Sequence, residues 1–382
     1  MKKTPLAWKQ LIKEKSRLAI AIGGIAFADV LMFFQLGMLN ALYDSATSPH
    51  RKLKGDLVMI NHQVNTLIDM SSFPRTRLQQ TLAYEGVESI NPVYVEFAPW
   101  RNPDTKLEKS ILVLGFDPYQ PAFDLGEAEG DLSQLPMLNR VLFDRASRPE
   151  YGAIAETWQT EGSLTAQVSD RLVETVGLFT MGASFGADGN MIVSDSTFFN
   201  LISDRNPSQV DIGLIHLTPD ANREMIQKRL QAGLPNDVAI LTIEEFTQRE
   251  INHWANQGTG FIFNLGVVVG FIVGIIIVYQ ILYANVSEHL PEYATLKAMG
   301  YSDRYLLIML LQEALILAAL GFFPGFLFSI GLYQVTYAAT LLKTAMTVNR
   351  GTLVLALTIL MCSVSGAIAM RKLQAADPAD IF

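Results

Sequence analysis

The sequence predicts an α-helical membrane protein with four transmembrane helices and a large α+β extracytoplasmic domain between the first and second helix. Three observations carry this. Half of the 382 residues are hydrophobic and 17% are charged, too apolar for an ordinary soluble chain and too charged for one lying wholly in lipid. Four apolar runs reach the roughly 20 residues that a bilayer core demands of a helix. Between the first two runs, residues 45–256 contain no stretch long enough to cross. The net charge of −8 gives no basic footprint for nucleic acid. The single cysteine, Cys362, lies in an apolar run, so the soluble block carries neither disulfides nor a cysteine metal site.

The first run spans residues 18–44 and follows a basic start, residues 1–17, with Lys2, Lys3, Lys9, Lys13, Lys15 and Arg17. It is longer than the roughly 7–15 apolar residues of a signal peptide and no small-x-small cleavage site follows, so it reads as an uncleaved anchor. Basic residues beside a span favour the cytoplasm, which puts the N-terminus inside. The second run, 257–285, contains no charge in its core. The third, 305–337, is interrupted by Gly321, Pro324, Gly325 and Gly331 and reads as one kinked span. The fourth is 351–370. Four spans place both termini in the cytoplasm of a cell inner (plasma) membrane. The 286–304 loop and the 371–382 tail then lie inside, and the short 338–350 loop, with Lys343 and Arg350, lies outside.

The 45–256 block reads as two split β-α-β halves, about 55–118 and 207–250, flanking a mostly β insertion at about 119–206. The strand signals are Asp56–Ile60, Val93–Phe97, Ser110–Gly115, Val210–Leu217 and Val238–Thr242; the helix signals are Pro74–Glu85, with Leu78 and Leu82 on one face, and Asp220–Ala232. Thr242 and Glu245 have the spacing of a capping box opening a helix that leads into the second span. With the end of the first run, this helix is expected to form a stalk beneath the outer domain.

The inner loop holds the most informative motif. In Ser287–Gly300, Pro291 suits a first helical turn, and Leu290, Tyr293, Leu296 and Met299 form one apolar stripe. Gly300 ends the helix and Ser302 or Asp303 caps the third span. A short amphipathic helix on the inner membrane face can dock in a partner's groove. Here the sequence resembles the MacB/FtsX-type ABC permeases. Their coupling helix after the second span is matched by Glu288, Glu292, Leu296, Lys297, Ala298 and Gly300, and Gln312-Glu313-Ala314 matches a pattern early in the third span. Ala294 stands where the family usually has glycine. The layout of one span, a large outside domain and three spans matches throughout. Ala7–Leu11, Arg17–Ala19 and Phe27–Met32 further resemble the cyanobacterial DevC-type permeases.

The resemblance implies that Glu288, Leu290, Glu292, Tyr293, Leu296, Lys297, Ala298, Met299 and Gly300 meet a separate ABC ATPase that binds ATP and Mg. It also implies a homodimer in the lipid bilayer, a periplasmic membrane-fusion (adaptor) protein, a TolC-like outer-membrane channel and an envelope glycolipid as cargo. Two other readings stay open within the family, an FtsX-type regulator of an outside enzyme and a lipoprotein-extraction permease. A stand-alone receptor is a third, from another class.

Asp29, midway along the first span, is a costly acid in lipid and reads as a helix-packing hydrogen bond or a sensor of cargo or protons. Glu313 is shallower and reads as structural. Gly266, Gly270 and Gly274, and again Gly321 and Gly325, recur every four residues and suit close helix packing. The histidines His50, His62, His216, His253 and His289 show no metal-ligand spacing. No phosphate-binding loop occurs; the Gly182–Gly189 stretch lacks its lysine and reads as a turn. Asp124, Glu127, Glu129 and Asp131 read as a solvated acidic loop. The chain is thus expected to be no enzyme and to hold no cofactor or metal of its own.

Overall fold

The computed structural model describes residues 15–126 and 128–375. The basic residues before Lys15, the Ala7–Leu11 motif, Glu127 and residues 376–382 of the tail lie outside the described residues. The chain divides into two compact units, one formed by Met1–Ala41, Gly258–Thr340 and Thr344–Phe382, the other by Leu42–Gln257 with Leu341–Lys343.

In chain order, α1 (Lys15–Ala46) leads to a short α2 (Ser48–Arg51), then β1 (Leu57–Asn61), β2 (Phe73–Pro74), α3 (Arg75–Gln80), β3 (Val87–Arg101) and β4 (Glu108–Phe116). The middle of the block contributes β5 (Glu129–Gly130), β6 (Arg140–Asp144), α4 (Ile154–Glu161), β7 (Leu164–Val168), β8 (Arg171–Phe179), β9 (Asn190–Ser194) and α5 (Asp195–Leu201). It closes with β10 (Gln209–Val210), β11 (Ile212–Leu217), α6 (Arg223–Gly233), β12 (Val238–Leu241) and α7 (Ile243–Asn256). Then come α8 (Gly258–Glu288), α9 (Leu290–Ala298), α10 (Asp303–Thr340) and α11 (Val348–Ala375).

In the soluble unit, the strands β12-β1-β11-β3 are antiparallel neighbours, and α3 and α6 join their two halves. The 119–206 stretch extends the same sheet: β9 pairs parallel with β4, β6 pairs with β9, and β8 pairs with β6. β7 then pairs with both β8 and β3, so six strands close on themselves. Both faces of the sheet are buried. Leu57, Met59, Ile111 and Val113 point to one core with Leu78, Phe198, Ile226 and Leu230 from the helices. Val58, Ile60, Leu112 and Leu114 point to the other, which Phe246 of α7 and Phe123 cover. Burial on both sides explains why these strands read as unbroken apolar runs rather than alternating ones.

Local signals differ from the outcome at two places. The Pro74–Glu85 helix is shorter: α3 ends at Gln80 and a 3-10 turn, Thr81–Ala83, follows. Leu78 is fully buried but Leu82 is 49% exposed, because the tighter turn takes it off the face. The strand containing Val93–Phe97 starts earlier, at Val87. The Thr242–Glu245 capping box is complete: the Glu245 amide donates to Thr242 Oγ1 at 3.1 Å and the Thr242 amide to Glu245 Oε2 at 2.8 Å.

In the other unit, four helices among the described residues are long and apolar enough to cross a membrane. The third run is one 38-residue helix with Pro324 inside it. α1 inserts a small-and-apolar face, Ala21, Ile25, Ala28, Met32 and Phe33, each at most 1% exposed, among α8, α10 and α11.

Candidate functional site

The inner-loop helix is built by local signals. Thr295 Oγ1 donates to the Pro291 carbonyl at 2.8 Å, and the Met299 amide donates to the Thr295 carbonyl at 3.0 Å. Gly300, at φ +93°, turns the chain so that the Tyr301 amide reaches the Leu296 carbonyl at 3.2 Å. That is a glycine-terminated helix end, and a side chain at this φ would be strained.

The apolar stripe of this helix is divided. Tyr293 is 2% exposed and belongs to the core of the bundle with Leu282, Val286, Leu306, Met309 and Leu310; Leu290 and Leu296 pack against that core, half-buried. Met299, by contrast, is 63% exposed. The exposed face is therefore Pro291, Glu292, Thr295 and Met299. Lys297 and Ala298 are helical, and their side chains lie outside the described part of the helix. Glu288, at the end of α8, forms an ion pair with Arg17 of α1.

Glu313 of α10 is 2% exposed and accepts a hydrogen bond from Asn285 Nδ2 of α8. His289 sits one turn on, with its Nδ1 3.1 Å from the Asn285 carbonyl. Asp29 is fully buried; Thr358 Oγ1 of α11 donates to its Oδ1 at 2.6 Å, and its Oδ2 has no hydrogen-bond partner. The glycines bring the helices together. A Cβ on Gly266, Gly270 or Gly274 of α8 would meet Gln35, Met32, or Ala28 and Met361 respectively. A Cβ on Gly321 of α10 would meet Ile25 at 2.5 Å, and one on Gly325 would meet the Ala26 carbonyl and Asp29 Cβ at 3.0 Å. Glycine rows of two helices thus clasp α1 from two directions within one chain.

Sequence reasoning missed several polar ties between distant helices. Ser365 Oγ of α11 donates to the Ile275 carbonyl of α8 at 2.9 Å, and the Tyr333 hydroxyl of α10 donates to the Phe33 carbonyl of α1. In the soluble unit, His50 lies in the interior. It is fully buried on the Phe246 ring, and its Nε2 lies 3.4 Å from Glu250 Oε2. Glu250 also accepts from Thr66 Oγ1 at 2.8 Å, the Leu67 amide at 2.8 Å and Trp254 Nε1 at 2.7 Å. Burial pushes the Glu250 carboxyl up, but the His50 hydrogen bond and charge, with Thr66 and Leu67, outweigh it and hold it below the usual range. Asp144 and Asp211 go the other way. Burial raises both, although Met181, Asn190 and Gly182 donate to Asp144, and Val95 and Arg205 donate to Asp211. Asp144 thereby anchors the start of the Gly182–Gly189 turn. Among the described residues, no three His, Cys, Asp or Glu side chains are grouped to hold a metal.

No curated protein matches the chain. Among solved structures, the periplasmic region of MacB from Actinobacillus actinomycetemcomitans is 13% identical, with 52% of this chain and 94% of that one covered at a TM-score of 0.35. The extracellular domain of the noncanonic ABC-type transporter YknZ from Gram-positive bacteria is 9% identical, covering 49% and 99% at 0.34. A domain of a putative permease protein from Porphyromonas gingivalis is 15% identical, covering 50% and 90% at 0.29. The family comparison falls on the other unit: over residues 264–378, which include the inner-loop helix and the last three spans, the chain is similar to the FtsX-like permease C-terminal family.

Proposed function

We propose that this chain is the permease subunit of an ABC exporter, moved by a separate ATPase that binds ATP and Mg. The observation that carries the reading is the inner-loop helix. Its Tyr293, Leu290 and Leu296 are set into the bundle and its Glu292, Thr295 and Met299 are left outside. A helix packed this way moves with the spans beneath it while offering a free side to a partner. α1 is 32 residues long, about 48 Å at the helical rise, well beyond a bilayer core of about 30 Å. It suits a stiff lever reaching the outer domain. Two copies pair in the membrane with both termini inside. An adaptor and a TolC-like channel complete the path, and envelope cargo such as a glycolipid enters from the periplasm or the outer leaflet.

The test is Met299→Glu in the full chain. The exposed side chain carries no packing load, so the protein stays in the membrane, while co-purification of the ATPase and ATP-driven export fall at least about tenfold, the effect of roughly 1.4 kcal/mol at the contact. Wild-type export in that variant overturns the docking role. The FtsX-like match supports one second reading, a regulator that passes ATPase motion to an outside enzyme. Recovery of a cell-wall hydrolase instead of an adaptor with the intact complex selects it.

A further inference from the structure

One polar contact inside the bundle stands where the inner-loop helix joins the spans. α8 stops at Glu288 and α9 starts at Leu290. Pro291 has no amide hydrogen to offer the carbonyl one turn back, so the helical ladder breaks and leaves an elbow. The elbow is held from behind. The His289 amide and the His289 ring Nδ1 each lie 3.1 Å from the Asn285 carbonyl, and the Tyr293 amide donates to the His289 carbonyl at 3.1 Å. A carbonyl only accepts, so Nδ1 carries the proton.

Two helix faces meet here. Leu282, Val286 and His289 are buried on α8, and Leu306, Met309, Leu310 and Glu313 are buried on α10. Spacings of three and four put each set on a single side of its helix. Tyr293 of α9 shares the apolar core that Leu282, Val286, Leu306, Met309 and Leu310 form. Asn285 stands on the same side of α8, and its side chain joins α8 directly to Glu313 of α10. Elsewhere these two helices each pack along α11. Apolar packing between helices permits small sliding. A hydrogen bond to a carboxyl has one length and one direction, and no water in the lipid competes for it. An acid within a span is costly, and an apolar side chain would fill the place without that cost. Cohesion alone therefore does not account for Glu313; a fixed register between α8 and α10 does.

We propose that Glu313 is a positioning residue: through Asn285 it locks the last turn of α8 to α10, so that a force on the inner-loop helix moves the second and third spans as one piece. This role rests on the ATPase-driven reading above and names the contact by which the motion enters the bundle.

Nitroxide labels at Ile276→Cys of α8 and Leu315→Cys of α10, both exposed positions, report the distance between the two helices; Cys362 is buried and stays unlabelled. The labelled full chain is diluted with unlabelled chain and prepared with the ATPase that co-purifies with wild type. Double electron–electron resonance is recorded with and without a non-hydrolysable ATP analogue. In wild type the distance is narrow and the analogue leaves it unchanged. Glu313→Ala widens the distribution at least about twofold, and the analogue now shifts its centre, because α8 moves without α10. Glu313→Gln keeps an acceptor for Asn285 and restores the wild-type behaviour. Asn285→Ala cuts the same bond from the other side and repeats the Glu313→Ala result, so a Glu313→Ala chain that fails to fold does not stop the test. A wild-type distance that changes with the analogue, or a wild-type width in the Ala variants, overturns the lock. A widened distribution that ignores the analogue while the ATPase is bound marks a structural contact only and overturns the positioning role. An ATPase missing from every preparation, wild type included, defeats the exporter reading instead, and the widths alone then decide the lock.

Discussion

Glu250 in the soluble unit and Asp29 in the helix bundle are both carboxyls hidden from solvent, at 1% and 0% exposure, but they are housed in opposite ways. Glu250 receives Thr66, Leu67 and Trp254 as donors, with His50 beside it. Asp29 receives Thr358 alone and leaves one oxygen without a partner. A soluble domain can draw donors from loops, helix ends and backbone amides. A bundle of apolar helices has already spent its backbone groups on its own turns and can offer only side chains. A satisfied buried carboxylate fastens the segments around it, whereas a half-satisfied one adds little to cohesion.

This contrast fixes the order of expected effects. Glu250→Ala strips the acceptor from three donors at once, removes the carboxylate beside His50, and lowers the stability of the soluble unit by about 3–5 kcal/mol. The fluorescence of Trp254, which donates to that carboxylate, reports the loss on heating. Glu250→Ala with an unchanged transition breaks the comparison outright. Acid gives the same contrast by titration. The folded Glu250 carboxyl is held below its ordinary value of 4.5, so its contribution is complete above that pH and is lost as pH falls through the depressed folded value. Asp144 and Asp211 are raised instead, so their protonation in mild acid favours the folded state and partly offsets the loss. Glu250→Gln accordingly flattens the acid limb of a stability-versus-pH curve; an identical limb contradicts the assignment.

Within the bundle, close packing outweighs polarity. Gly321→Ala forces its Cβ against Ile25, a β-branched side chain with little freedom to yield. It costs about 1–3 kcal/mol, readable as a lower denaturing-detergent midpoint for helix loss. Asp29→Ala is the mildest. It removes an unsatisfied oxygen, and the single hydroxyl proton of Thr358, released from Asp29, turns to the Val354 carbonyl 2.8 Å away. The change stays within about 1 kcal/mol, in the same assay. A cost as large as that of Glu250→Ala shows that Asp29 has a tie beyond Thr358.

What the sequence reveals about such a molecule depends on how far apart the partners lie along the chain. Thr242 and Glu245 are three residues apart, and Gly300 acts on the turn just before it, so the capping box and the helix stop are legible as patterns. The four apolar runs are legible because lipid sets a minimum length. Spacing also groups Leu290, Tyr293, Leu296 and Met299 on one stripe, but it cannot say what that stripe meets. The ends of α8 and α10 compete with any partner for it and take all but Met299. The sided reading of the motif therefore needed coordinates. His50 and Glu250 are 200 residues apart, and no local signal joins them. A separation of 78 residues, from Leu112 to Asn190, likewise hid the parallel pairing of β4 with β9, which turns a seeming insertion into part of a single sheet. Arg350 was visible only as a charge in the short 338–350 loop; its inward fold over Tyr333 appears only in three dimensions.

That single sheet has a practical side. Because residues 119–206 supply the strand beside β4, excising them would not trim an appendage but would bare Leu112, Val113 and Leu114 along a raw edge able to recruit foreign strands. Shortened versions of this protein are thus poor tools, and reporter tags belong at the turn around Lys106 and Leu107, where Lys106 has a φ of 61° and Leu107 is 70% exposed.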